Sequence, residues 1–181
     1  MPVIDQAVTW EKVEARLAVE TDPVLRRNLE TVLAHMKAEM AGDVDGLLVT
    51  LSDDVAYHAY GNDDPAISPV GKEGVRAFYD RFIASGAGKL QLDIDRLIVD
   101  RDAILTEGVM RMAYPGRTLQ AMGIDVDDPD ASYLYEARMA TIWPFDEHGL
   151  ATGEDTYTGG DGFAGIAQRK LREEDIVEFV G

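Results

Sequence analysis

Apolar positions recur at helical spacing through the first half of the chain and alternate through the second. Over residues 8 to 20, Trp10, Val13 and Leu17 share one side, which predicts a short amphipathic helix. Leu25, Leu29, Val32, Leu33, Met36 and Met40 predict a long one over 23–41. Asp22 is placed to cap it and Pro23 to open it, and Gly42 to end it. Asp43 caps a further short helix reaching about Leu51. Ser52-Asp53-Asp54 then turns the chain into a strand from Val55 to Tyr60. The loop GNDDPAISPVG that follows suits a pocket rim or lid. Lys72 to Ser85 reads as a helix with Val75, Phe78, Phe82 and Ile83 inward.

From Lys89 the period falls to two. Leu90, Leu92 and Ile94 alternate with Gln91, Asp93 and Asp95, as on a half-buried strand. Strands are predicted over Ala103–Tyr114, Tyr133–Phe145 and Leu150–Thr158, the last two joined by a hairpin at Asp146-Glu147-His148-Gly149. Residues 116 to 131 have no clear period and read as a long insertion. Residues 163 to 180 are expected to form one or two short helices packed across the sheet or against another subunit. The order predicts an α+β fold with helices on one face of a curved antiparallel sheet. One domain is expected over 1–181, with helical extensions at 1–22 and 161–181.

Composition narrows the partners. A net charge of -17 disfavours nucleic acid and anionic membranes, which need clustered Lys and Arg. The absence of cysteine excludes disulfides, thiolate nucleophiles and Cys-ligated zinc. The N-terminus carries no basic and apolar signal pattern, and no apolar run is long enough to span a bilayer, so a cytoplasmic protein is expected. No His/Asp/Glu group has metal spacing. The acidic run Asp125, Asp127, Asp128 and Asp130 lacks the glycine and terminal Glu of a calcium loop. GGDGFAG follows the last strand without a βαβ unit. Chemistry without metal or organic cofactor is expected.

The helix-Gly-Asp-helix unit followed by DDVAYH, then PVGKEGVRAFYDRF, then a strand meander resembles the nuclear transport factor two-like superfamily, SnoaL-like polyketide cyclases included. The likeness covers roughly residues 24 to 160, and the FDEHG turn is similar to a ketosteroid isomerase hairpin. It implies a cone-shaped barrel of curved sheet wrapped around helices, a deep apolar pocket and a homodimer. The superfamily holds isomerases, dehydratases, hydrolases, cyclases and lyases as well as binders, so fold does not give function. Ketosteroid isomerase positions are occupied by His35 for the oxyanion-hole tyrosine, Ala59 for the general base and Thr141 for the protonated aspartate. Limonene epoxide hydrolase positions carry Gly108, Met110 and Thr156 in place of its Arg and Asp residues, while one pocket tyrosine matches at Tyr57. Neither of those activities is expected.

The resemblance, extended with period two, implies which side chains face inward. They are Tyr57 and Ala59, then Gly108, Met110 and Met112. Tyr133, Tyr135, Ala137, Met139 and Thr141 follow, then Glu154, Thr156 and Thr158, with His35 and Glu39 from the long helix. Each has an ordinary reading beside the functional one. His35 is a core-edge histidine or a pocket acid–base group. Glu154 is an inward carboxylate that must be paired or neutral, unless the register slips and Asp155 is inside. Glu39 is solvated or in the pocket. The tyrosines and methionines are core packing or walls for a flat hydrophobic substrate. His58 is expected outward and His148 without a role. The expectation is a cofactor-independent lyase or isomerase with Glu154, His35 and Tyr57 catalytic. The substrate would be an aromatic or polycyclic compound, lignin-derived diaryl compounds among them. The alternative is a non-catalytic ligand binder or assembly domain.

Overall fold

A computed structural model describes residues 2–179; residues 1, 180 and 181, the ends of both predicted extensions, lie outside the described residues. The chain runs β1 (Ile4–Asp5), α1 (Val8–Val19), α2 (Pro23–Ala41), α3 (Val44–Leu48), β2 (Leu51–Tyr60) and α4 (Gly71–Ala84). It continues with β3 (Leu90–Val99), β4 (Ala103–Pro115), α5 (Gly116–Ala121), β5 (Ser132–Pro144), β6 (Ala151–Gly159), β7 (Lys170–Leu171) and β8 (Ile176–Val177). Among the described residues no helix is long and apolar enough to cross a membrane.

The long helix forms where its caps say it should. Asp22 accepts hydrogen bonds from the backbone of Val24 and Leu25, Pro23 occupies the first turn, and Gly42 ends the helix at φ 67°. Leu29, Val32, Met36 and Met40 bury one stripe of it, and His35 lies on that same stripe. α1 packs beside it through Trp10 and Val13.

The main sheet has the order β2-β6-β5-β4-β3, with β7 pairing onto β5. It is curved and lies against the helices, and it does not close: β2 and β3 are its two edges. The β3–β6 meander is antiparallel as expected, but β2 pairs with β6 in parallel, so the sheet is mixed. Register breaks between Ile94 and Arg96, and between Leu51 and Ala56, are the bulges that bend it. At the first of them, a Cβ on Gly108 would stand 2.0 Å from the Asp93 carbonyl oxygen, so only glycine allows the approach.

Three expectations need correcting. Residues 116–131 hold a real element, α5, whose Leu119 packs with Val126, Tyr133 and Ile166. The C-terminal extension holds two single-turn 3-10 helices, Ile166–Gln168 and Glu173–Asp175, and is otherwise not helical. It forms short turns and the strands β7 and β8, because its backbone finds partners on existing strands: the Leu134 amide bonds Arg169 O, and β8 runs parallel to β1. On α4, Ile83 is 44% exposed, and Tyr79 takes the inner position.

Candidate active site

A cavity of about 270 Å³ lies between the concave face of the sheet and helices α2 and α4. Strand pairing assembles its polar part. Tyr57 on β2 is the register partner of Glu154 on β6, and Ala59 of Thr156, so all four reach the same hollow. Tyr135 and Met139 enter from β5, Met110 and Met112 from β4, and Leu90 from β3. Helix α4 adds Phe78, Tyr79 and Phe82, and α2 adds Glu39. Thr158 sits on the wall, and Ile67 comes from the Gly- and Pro-containing loop expected at the rim.

His35 stands behind this wall, fully buried. Its Nδ1 is 2.8 Å from the Thr50 hydroxyl, which donates its own proton to the Leu47 carbonyl at 2.6 Å. Thr50 therefore accepts from His35, and the proton of neutral His35 belongs on Nδ1. That leaves Nε2 toward the cavity, 3.3 Å from the Tyr79 hydroxyl and 3.1 Å from Glu154 Oε1. Glu154 Oε1 is at ion-pair distance but has no hydrogen-bond partner among the described residues. The Trp143 ring, 5.1 Å away edge-on, fixes the imidazole from the other side.

Tyr57 is 5% exposed, and its hydroxyl has no hydrogen-bond partner. Burial, then the Glu154 charge, holds its proton far more tightly than in water, and the same two causes act on Tyr79. Both are neutral hydrogen-bond donors at any physiological pH. Burial, then the Glu154 charge, also pushes the Glu39 carboxyl up to about 8. The site thus combines a histidine-backed carboxylate, a protonated carboxyl and two phenols in a largely apolar hollow. Such a set can take, give and stabilise protons without moving far.

Of the residues expected at the site, Glu154, Tyr57, Glu39, Ala59, Met110, Met112, Tyr135, Met139, Thr156 and Thr158 line the cavity, and His35 contacts it through Glu154. Two do not line it. Tyr133 is buried under the α5 loop, where its hydroxyl bonds the Asp128 backbone and the Asp127 carboxylate. Thr141 is buried in the sheet opposite Thr106 and Thr156. Period two gives the face but not the depth: a strand of 13 residues runs roughly 43 Å, and the hollow takes only its middle. His58 points outward to Asp155, 2.7 Å away, and meets the hollow at its rim. Sequence reasoning missed Tyr79 and Thr50. Tyr79 had a signal, lying four residues after Val75 and three before Phe82 on the inner stripe. Thr50 had none, since its role comes from α3 folding back beside α2.

A family model described as SnoaL-like domain matches residues 32–128. No curated protein sequence matches the chain. Solved structures share the fold at low identity. A SnoaL-like protein from Shewanella denitrificans superposes with a TM-score of 0.63 at 15% identity, over 78% of this chain and 96% of its own. TerC, co-crystallized with polyporic acid, gives 0.59 at 16%, over 78% and 98%. RV0760c from Mycobacterium tuberculosis, in complex with estradiol-17beta-hemisuccinate, gives 0.56 at 21%, over 72% and 92%.

Proposed function

The chain belongs to the SnoaL-like domain family, and from that premise we propose a cofactor-independent lyase or isomerase that works by acid–base catalysis on a hydrophobic aromatic or polycyclic small molecule. The observation that carries the reading is the pair of buried His35 and half-buried Glu154, 3.1 Å apart, at the wall of a largely apolar cavity. A binding pocket for a hydrophobic ligand needs no such pair, and taking its charges out of water costs stability.

Glu154 is the base. It takes a proton from a substrate hydroxyl or an activated carbon, and His35 stabilises the arrangement through Nε2 while Thr50 and Trp143 hold the ring. Tyr57 and Tyr79 donate to the oxygen on which negative charge develops. In a retro-aldol-type cleavage, Glu154 removes the hydroxyl proton and the C–O π bond of an aldehyde forms. The C–C bond breaks, and its electron pair stays on the aromatic fragment until a proton returns from the cavity's acids. Dehydration and cyclisation use the same groups. Lignin-derived diaryl compounds carrying hydroxyls offer such bonds. The reading also takes the protein to be a cytoplasmic homodimer, and a monomer by light scattering would contradict that part.

The test is turnover of an aromatic diaryl and polyketide-like panel by Glu154→Gln and His35→Ala. Loss of about 100-fold or more in kcat by Glu154→Gln is expected. Folded variants with wild-type turnover would contradict the assignment. A second reading, a non-catalytic ligand binder, is favoured by the apolar, aromatic lining of the cavity. It predicts binding without turnover across the same panel.

A further inference from the structure

The acid–base mechanism leaves one half-buried ionisable group without a defined role. Glu39 lines the cavity from α2, one helical turn beyond His35. Its side chain has neither hydrogen bond nor ion pair among the described residues. No Lys or Arg lines the hollow among those residues. Glu39 also borders a shallow depression containing Lys89, but Lys89 is engaged by Glu178 at 2.6 Å. The cavity therefore holds two carboxyl groups, Glu39 and the Glu154 that stands beside His35.

A ligand entering this hollow meets two different demands. Glu154 accepts hydrogen bonds, and protonated Glu39 and the unpartnered Tyr57 hydroxyl offer them. A hydroxyl satisfies both, because it donates and accepts. A carboxylate only accepts, and brings a second negative charge beside Glu154 in a poorly solvated space. An ammonium only donates, and pairing it with Glu39 requires that residue to give up its proton.

We propose that Glu39 and Glu154 together make the cavity a charge filter, which takes uncharged aromatic alcohols and phenols and turns away the matching carboxylates. The inference rests on reading the cavity as a small-molecule site and adds the class of molecule. It has a pH signature. The groups facing Glu39 are Glu154 on β6, Tyr57 on β2, Tyr79 on α4 and His35 on its own helix, with Lys89 and Glu178 on the far side. As pH rises through about 8, Glu39 ionises, the cavity gains a charge and loses a donor, and affinity for the alcohol falls.

The experiment measures binding of naphthylmethanol, naphthoate and naphthylmethylamine to the full chain by calorimetry at pH 7. The alcohol is expected to bind at least about tenfold more tightly than the carboxylate. The Glu39→Gln, Glu154→Gln double variant is expected to recover carboxylate binding by a similar factor, and Glu39→Gln alone to abolish the weakening of alcohol binding above pH 8. Equal binding of alcohol and carboxylate overturns the filter while leaving the small-molecule site intact, and so does tightest binding of the amine. Carboxylate exclusion that persists in the double variant also overturns it. Binding of none of the three overturns the small-molecule site and the filter with it.

Discussion

Tyr57 concentrates the conflict between stability and use. Its buried, unpartnered hydroxyl is a desolvation cost with no return in the free protein. Tyr57→Phe should therefore raise stability by about 1 kcal/mol in chemical denaturation and lower turnover at the same time. A loss of stability would mean that the hydroxyl is already bonded. Glu39 makes a comparable case with pH as the variable. Its carboxyl, ordinarily near 4.5, is pushed up to about 8 in the folded chain. Between those values the native state binds more protons than the unfolded one, so this residue's contribution is full below pH 4.5 and is lost as pH rises to about 8. Glu39→Gln should thus raise the melting temperature at pH 9 and leave it nearly unchanged at pH 4, with about 2–4 °C for each kcal/mol relieved. The family resemblance, extended by helical spacing and strand alternation, placed both residues near a pocket. It did not reveal that Glu39 lacks a partner, because that depends on where Lys89 and Glu178 fold.

Elements set what the residues can do. α2 carries His35 on the same buried stripe as Val32 and Met36, so its cap and its packing register also position the histidine. The parallel pairing of β2 with β6 places Tyr57 beside Glu154. The bulge opposite Gly108 bends the sheet around them. Gly108→Ala should cost about 2–4 kcal/mol, since a new Cβ would meet backbone rather than a side chain able to move. Denaturation midpoints check it, and a neutral result would mean that the bulge can relax. Caps and period made α2, α4 and the meander legible. The parallel β2–β6 pair was not, because pairing direction depends on which edge the chain returns to. The C-terminal strands were hidden too: two-residue strands have no period to read, and they form on β1 and on the end of β5 that extends beyond β6.

At the scale of the molecule, an open curved sheet closed off by α2 and α4 creates a hollow whose walls are apolar and whose few polar groups converge. The net charge of -17 adds self-repulsion that salt screens, so melting temperature should rise on going from low salt to about 0.15 M. The sequence made the architecture readable from period, and most cavity-lining residues readable because a family resemblance implied the inner strand faces and period two extended them. It did not show which inward residues reach the hollow, as Tyr133 and Thr141 demonstrate. The central claim is that the His35–Glu154 pair performs proton transfer in this hollow. The most direct measurement is kcat of Glu154→Gln, with its fold verified, on an aromatic substrate that the wild-type chain converts. A fall of about 100-fold or more with the substrate still bound is the predicted result; unchanged kcat would contradict it.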